Sequence, residues 1–186
     1  SWIHRSFLAV TEKVLRRKDK KPSTQKNRKI FDHWELDTIL SSRGQSKGCL
    51  ATFVERKTRF YIAIKMDDRT KDSMFLAISS LYNTLTSKLL KTFTVDRGKE
   101  FACFEQVETE FGIPMYFADA YAAWQRGSNE NSNGLLREFF PKKTDLAKVT
   151  LDKLTEALVL INNRPRKCLG FKTPFDMFKH EIRKLI

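Results

Sequence analysis

The amino-acid sequence predicts an α/β fold in which helices flank a mixed five-stranded sheet. Three observations carry that prediction. Three strand-like segments, rich in β-branched and aromatic residues, follow one another between residues 33 and 65, as in an antiparallel meander. From residue 70 onward, helical spacing of apolar residues alternates with short strand-like runs, the pattern of strands linked through helices. The chain has 186 residues, 41% of them hydrophobic, enough for one domain with a substantial core.

Taken in order, residues 4–17 place Phe7, Leu8, Val14 and Leu15 at positions that suit a short amphipathic helix. Residues 18–29, KDKKPSTQKNRK, are polar, basic and broken by Pro22, which reads as a linker. A basic arm over residues 1–29 and a compact domain over residues 30–186 are therefore expected. The three strands are HWELDTIL (33–40), CLATFVE (49–55) and TRFYIAIK (58–65), the last two joined by a tight polar link at Arg56-Lys57. Met74, Ala77, Ile78, Leu81 and Leu85 predict a helix over 70–88, and KTFTV (91–95) predicts a strand ending at Asp96. Phe101, Phe104, Val107 and Phe111 predict a helix over 99–111, followed by the strand PMYFA (114–118). Two further helices are expected at about 127–139 and 150–162. A last one starts at Thr173-Pro174, where Thr is a good N-cap and Pro suits the first turn. The order βββαβαβα is the plan of the ribonuclease H-like fold, and a shared plan does not by itself assign chemistry.

The formal net charge is +13. Residues 1–29 hold ten Lys/Arg against two Asp/Glu, so the arm carries +8 of it. A basic arm on a mildly basic domain suits a polyanionic partner, because Lys and Arg displace counterions from phosphates; a solvated linker whose charge aids solubility is the alternative. No apolar run approaches the roughly 20 residues that cross a bilayer. The start, Ser1-Trp2-Ile3-His4-Arg5, is no signal peptide and reads as the cut end of a longer protein. Cys49, Cys103 and Cys168, with His4, His33 and His180, make no zinc-ligand spacing. They read as ordinary buried or semi-buried thiols in a reducing, intracellular setting.

Three acids stand out. Asp37 lies inside an otherwise apolar strand, where a carboxylate needs a partner such as a metal ion. Glu35, two residues earlier, shares its face, and periodicity does not choose between them. Asp96 ends a short strand and precedes Arg97-Gly98-Lys99; strand ends are frequent sites of chemistry in α/β sheets, and an Asp capping the next helix is about equally plausible. Glu130 begins a helix. At about 100° per residue, Leu135, Leu136, Phe139 and Phe140 form an apolar side roughly opposite Glu130, with Asn133 and Arg137 beside the acid. Gly134, which weakens a helix by about 0.8–1.0 kcal/mol relative to Ala, suggests a close approach of backbone or ligand. Carboxylates brought together would repel unless cations neutralise them, and an oxygen-only donor set suits Mg²⁺ or Mn²⁺, as two ions, better than zinc.

Several motifs match a known family. They are His33-Trp34-Glu35-Leu36-Asp37-Thr38, Thr94-Val95-Asp96-Arg97-Gly98-Lys99-Glu100-Phe101, and the run from Tyr116 to Asp145 with Trp124-Gln125-Arg126-Gly127-Ser128-Asn129-Glu130-Asn131 and Asn133-Gly134-Leu135-Leu136-Arg137 at its centre. Asn163-Arg164-Pro165-Arg166-Lys167 and Thr173-Pro174 close the match. Over about residues 30–178 the chain resembles bacterial insertion-sequence transposases of the insertion-sequence-thirty family, within the DDE transposase and retroviral integrase superfamily. The resemblance implies that Asp37, Asp96 and Glu130 are the catalytic, metal-binding triad, and it prefers Asp37 to Glu35. It implies DNA contacts or site support from Arg137, Lys99, Gln125, Arg126, Asn129 and Asn133, and phosphate contacts from Arg164, Arg166 and Lys167. It further implies DNA as partner (element terminal inverted repeats and target DNA), a homodimer or higher assembly on DNA, and a cytoplasmic, nucleoid-associated setting in bacteria. End recognition, which in the family belongs to an N-terminal helix-turn-helix region, is expected outside this chain.

The chain departs from the family's pattern at Leu36, where Gly is usual, at Arg97, where Asn is usual, and at Ala120 and Ala123, where Pro is frequent. The leading expectation is metal-dependent cleavage at element ends and transfer of a 3′-hydroxyl into target DNA. A catalytically decayed DNA-binding remnant, to which Leu36 and Arg97 lend weight, and a ribonuclease H-like nuclease are the alternatives. A retroviral-type integrase is disfavoured because no His/Cys zinc module is present.

Overall fold

The computed structural model describes residues 29–119 and 127–185. The arm up to residue 28, with its expected helix, lies outside that set, as do Ala120, Ala123, Trp124, Gln125 and Arg126.

Strands β1 (His33–Leu40), β2 (Cys49–Glu55) and β3 (Tyr61–Met66) form the expected antiparallel meander. Helix α1 (Lys71–Thr84) leads to β4 (Thr92–Val95), α2 (Phe104–Phe111) leads to β5 (Met115–Phe117), and both strands run parallel to β1. The sheet order is β3-β2-β1-β4-β5. Three helices complete the chain: α3 (Gly127–Phe139), α4 (Leu151–Asn162) and α5 (Pro174–Arg183). Thr173 caps α5 with its hydroxyl on the Asp176 N–H at 3.0 Å, and Pro174 occupies the first turn, as its sequence requires.

The pleat of β1 sorts the two faces. Trp34 and Leu36 point into a core shared with Met74 and Ile78 of α1, Val107 of α2 and Phe178 of α5. Ile39 points the other way, with Leu50, Val54 and Tyr61, into a core closed by Leu136 of α3 and by Leu154 and Ile161 of α4. Glu35 and Asp37 alternate with the first set and so face α3. β2 is buried on both sides along its whole length, which explains its continuous apolar reading.

Three expectations change. The helix expected over 70–88 ends at Thr84, and Leu85 is already extended. Ser79 and Thr84 turn their hydroxyls back onto carbonyls one turn earlier, a competition that weakens helices. The expected helix over 99–111 is a 3-10 turn, Lys99–Cys103, feeding α2. The link between β2 and β3 is longer than Arg56-Lys57. Glu55 accepts bonds from the Thr58 N–H and hydroxyl at 2.7 and 2.6 Å, which holds a turn through Phe60.

Candidate active site

β1 and β4 pair in parallel, with His33 beside Thr92 and Glu35 beside Thr94. Continuing that offset of 59 positions carries Asp37 level with Asp96, where the two neighbouring strands end their pairing. Both acids are half-buried. Asp37 accepts from the Thr38 N–H through Oδ1 at 2.8 Å and from the Asn133 amide through Oδ2 at 3.1 Å. Asp96 accepts from the Gly98 N–H at 2.7 Å, which closes a local turn; the following 3-10 helix is capped at Gly98 without a side-chain bond, so Asp96 is not the helix cap of the alternative reading.

Helix α3 lies along β1 as a polar ladder. The Asn129 N–H donates to Glu35 Oε2 at 3.0 Å, the Asn133 amide reaches Asp37, and Arg137 Nη2 donates to the Leu40 carbonyl at 2.7 Å. The match is geometric. Four residues of helix rise about 6 Å and two residues of strand about 6.6 Å, so Asn129 and Asn133 meet successive inward-facing positions of the strand, and Arg137 reaches its backbone further along. Glu130 follows Asn129 in the first turn and is exposed. Among the described residues, no group of three or more His, Cys, Asp or Glu side chains is arranged to hold a metal ion. By register the two aspartates stand level on adjacent strands, while Glu130 is exposed in the first turn of the helix that bonds β1 through Asn129 and Asn133.

Glu35 is occupied differently. It is fully buried and paired with Arg56, itself 1% exposed, at 3.0 Å. Arg56, read from sequence as part of a tight polar link, is the counter-charge of a buried carboxylate on the sheet. No periodicity shows this, because the two are joined only by hairpin pairing.

The buried side of α3 also differs in part from the helical-wheel expectation. Leu136 and Phe140 are buried with Leu135 packed against their cluster, as the wheel expects, but Phe139 is 40% exposed and the first two turns bury Ser128, Asn129 and Ser132. Small polar residues in the first two turns let the helix sit close enough to bond with the sheet. Asn129, expected to contact DNA, is fully buried and accepts from the Thr52 hydroxyl at 3.2 Å; it has no surface to offer. Asn133 accepts from the buried Tyr61 hydroxyl at 2.8 Å while donating to Asp37. Burial holds the Tyr61 phenol well above its usual range, so it stays a proton donor. Besides Leu40, Arg137 spends Nη1 on the carbonyls of Phe140 and Pro141, fastening the end of the helix.

Lys99, Arg164 and Lys167 are exposed, and Arg164 pairs with Glu138 at 3.0 Å. Arg166 is half-buried and, with Arg59, Ser128, Asn131 and Ser132, lines a cavity of about 470 Å³. Its Nε is buried without a hydrogen-bond partner. Burial first, and then the charge of Arg164, lower its pKa. Arg59 was not foreseen, since its role depends on the fold of the β2–β3 turn.

Gly98 needs no unusual backbone, with φ −60° and ψ 145°. A Cβ there would lie 2.5 Å from Glu100 Oε2, so any larger residue would have to displace that buried carboxylate. A Cβ at Gly134 would meet nothing within 4 Å, so no close approach within the described chain explains that glycine. Leu36 packs in the core on the face away from Asp37. Cys49 and Cys103 are buried and Cys168 is exposed, all three free; burial pushes the first two thiols up to about 11.

Residues 27–123, more than half of the chain, match the integrase core domain family. The chain belongs to that family. This integrase core is 39% identical over 156 residues to the transposase InsI for insertion sequence element IS30A of Escherichia coli (strain K12), covering 84% of this chain and 40% of that protein. It is 34% identical over 157 residues to the transposase for insertion sequence element IS1086 of Cupriavidus metallidurans, covering 84% of this chain and 46% of that one. The integrase core therefore spans less than half the length of these curated relatives. Among solved structures, the catalytic core domain of BIV integrase superposes with a TM-score of 0.65 at 20% identity, over 84% of this chain and all of that one. The HTLV-2 integrase catalytic core domain in complex with magnesium gives 0.61 at 18%, over 80% and 97%. At such identities the likeness shows the fold, and it establishes the ribonuclease H-like plan expected from the element order.

Proposed function

We propose that this integrase core is the catalytic part of a DNA transposase. It would cut a strand at the element's end and transfer the resulting 3′-hydroxyl into target DNA. The observation that carries the reading is that Asp37, inside β1 where its pairing with β4 ends, stands level with Asp96 just past β4, with α3, bearing Glu130, fastened alongside. The transposases it is similar to support it.

The donor set fits a hard divalent cation. Asp37, Asp96 and Glu130 offer only carboxylate oxygens, whereas the two buried thiols are held neutral and so are poor ligands. When bound by these three acids, Mg²⁺ or Mn²⁺ would supply the Lewis acidity that phosphodiester displacement needs. The chain's own groups do the rest. Asn133, held by Tyr61, fixes one oxygen of Asp37, and the Gly98 N–H fixes Asp96. Lys99, Arg164, Lys167 and the arm supply positive charge for the DNA backbone, and Arg59 and Arg166 offer guanidiniums to one phosphate. Two in-line displacements at phosphorus follow. Water first breaks a phosphodiester and leaves a 3′-hydroxyl; that hydroxyl then forms a new ester with a target phosphate, releasing the target's own 3′-oxygen.

Leu36 gives no support to a decayed remnant, because it never reaches the acids. Among the described residues no helix is long and apolar enough to cross a membrane. With Mn²⁺ and pre-cut element ends, the chain should join strands, and Asp96→Ala or Glu130→Ala should abolish joining. Unimpaired joining by either variant refutes the triad. Two ends must be brought together, so sedimentation with end DNA should show a dimer or larger assembly.

A further inference from the structure

We propose that Glu100 is a positioning residue that holds Asp37 and Asp96 in place from the side of the sheet opposite α3. It is fully buried. Its Oε1 accepts from the Thr38 hydroxyl at 2.5 Å and from Arg69 Nε at 2.8 Å. The backbone N–H of that same Thr38 donates to Asp37 Oδ1 at 2.8 Å. On the other strand, the Gly98 N–H donates to Asp96 Oδ1 at 2.7 Å. The Gly98 backbone presses so closely on Glu100 that an added Cβ would sit 2.5 Å from Oε2. One buried carboxylate therefore touches both residues whose N–H groups orient the acids, one by hydrogen bond and one by packing.

Stability alone is a poor explanation for this arrangement. Oε2 is buried without a hydrogen-bond partner, which is destabilising, and a buried ion pair is often no better than apolar side chains of the same volume. Placement accounts for the residue better. Arg69 adds a cation whose charge is felt by Glu100, Asp96 and Asp37 together, which lets three carboxylates crowd one end of the sheet. The ordering of ligands by groups behind them typically changes ion affinity about 10–100-fold.

This inference rests on the reading of Asp37 and Asp96 as ion-binding acids, and Mn²⁺ binding followed by electron paramagnetic resonance separates the two. Asp96→Asn should lose Mn²⁺; wild-type binding in that variant overturns the site and this inference with it. If Asp96→Asn behaves as expected, Glu100→Ala should weaken Mn²⁺ binding about 10–100-fold with an unchanged circular dichroism spectrum. Glu100→Gln, whose amide oxygen still accepts from Thr38, should recover most of the affinity. Thr38→Val removes the hydroxyl without touching Glu100, should weaken binding in the same direction, and carries the test if Glu100→Ala fails to fold. Folded variants at either position that bind Mn²⁺ as the wild type does, while Asp96→Asn does not, would show Glu100 to be no more than core.

Discussion

The side-chain amide of Asn133 donates to the Asp37 carboxylate at 3.1 Å, across the interface between α3 and the central strand. The Tyr61 hydroxyl stands behind it, donating to the Asn133 carbonyl oxygen at 2.8 Å. The amide is thereby held in one orientation, with its donor toward the acid. Removing such an ordering group typically lowers activity about 10–100-fold. Asn133→Ala should show a loss of that size in single-turnover strand joining, and Tyr61→Phe a smaller loss in the same direction. Equal melting temperatures for wild type and Asn133→Ala would assign the loss to the site rather than to folding.

The Glu35–Arg56 pair makes a stability prediction. Arg56→Met leaves Glu35 buried without its counter-charge, and breaking a buried pair from one side costs about 3–5 kcal/mol. Glu35→Leu combined with Arg56→Met removes both charges and should recover part of that, the remainder reflecting the Asn129 N–H that Glu35 also satisfies. Urea unfolding of the single and double variants measures both. A single variant as stable as the wild type would show that the pair is not the partner that keeps Glu35 buried.

Gly134 lies on the outer side of α3 with open space around it. Gly134→Ala should therefore raise stability by about 0.8–1.0 kcal/mol, the ordinary helix-propensity gain, read as a higher urea midpoint at unchanged slope. A strand-joining assay on the same variant then asks whether DNA approaches that side closely, in which case the more stable protein joins less.

Glu55 sets a pH dependence. Burial pushes its carboxyl from an ordinary 4.5 up to about 7, against the opposing bonds from Thr58. A raised folded pKa means that the folded chain holds a proton the unfolded chain has lost. The stabilisation is fully present below about pH 4.5 and disappears as pH rises through about 7. His33 acts in the other direction. Burial first, then Lys91 and Arg56, lower its pKa from 6.5 to about 4, so its contribution is present above 6.5 and is lost as pH falls through about 4. Between about pH 4.5 and 6.5 the two oppose each other, and wild-type stability alone does not separate them. Glu55→Gln removes one. The stability of wild type relative to Glu55→Gln should fall steadily from pH 4.5 to 7 and level off above it, measured by thermal melting across that range. A flat difference would rule out a perturbed Glu55.

Sequence alone determined the order of elements, the antiparallel meander and the cap at Thr173, because these depend on side-chain period and on local backbone chemistry. Periodicity also marked Asp37 and Glu35 as two acids on one face and left them equal, and the family resemblance preferred Asp37 without giving a physical reason. Only the tertiary structure gave them different surroundings. Arg56, brought over by the hairpin, neutralises Glu35, while Asp37, bonded by Asn133 and Thr38, stays half-buried level with Asp96. The same limit hid Glu100, which reads as one charge in a polar turn until the chain folds Thr38, Gly98 and Arg69 around it. Periodicity reports which side a residue faces. What waits on that side is set by residues dozens of positions away, and that decided the character of each acid.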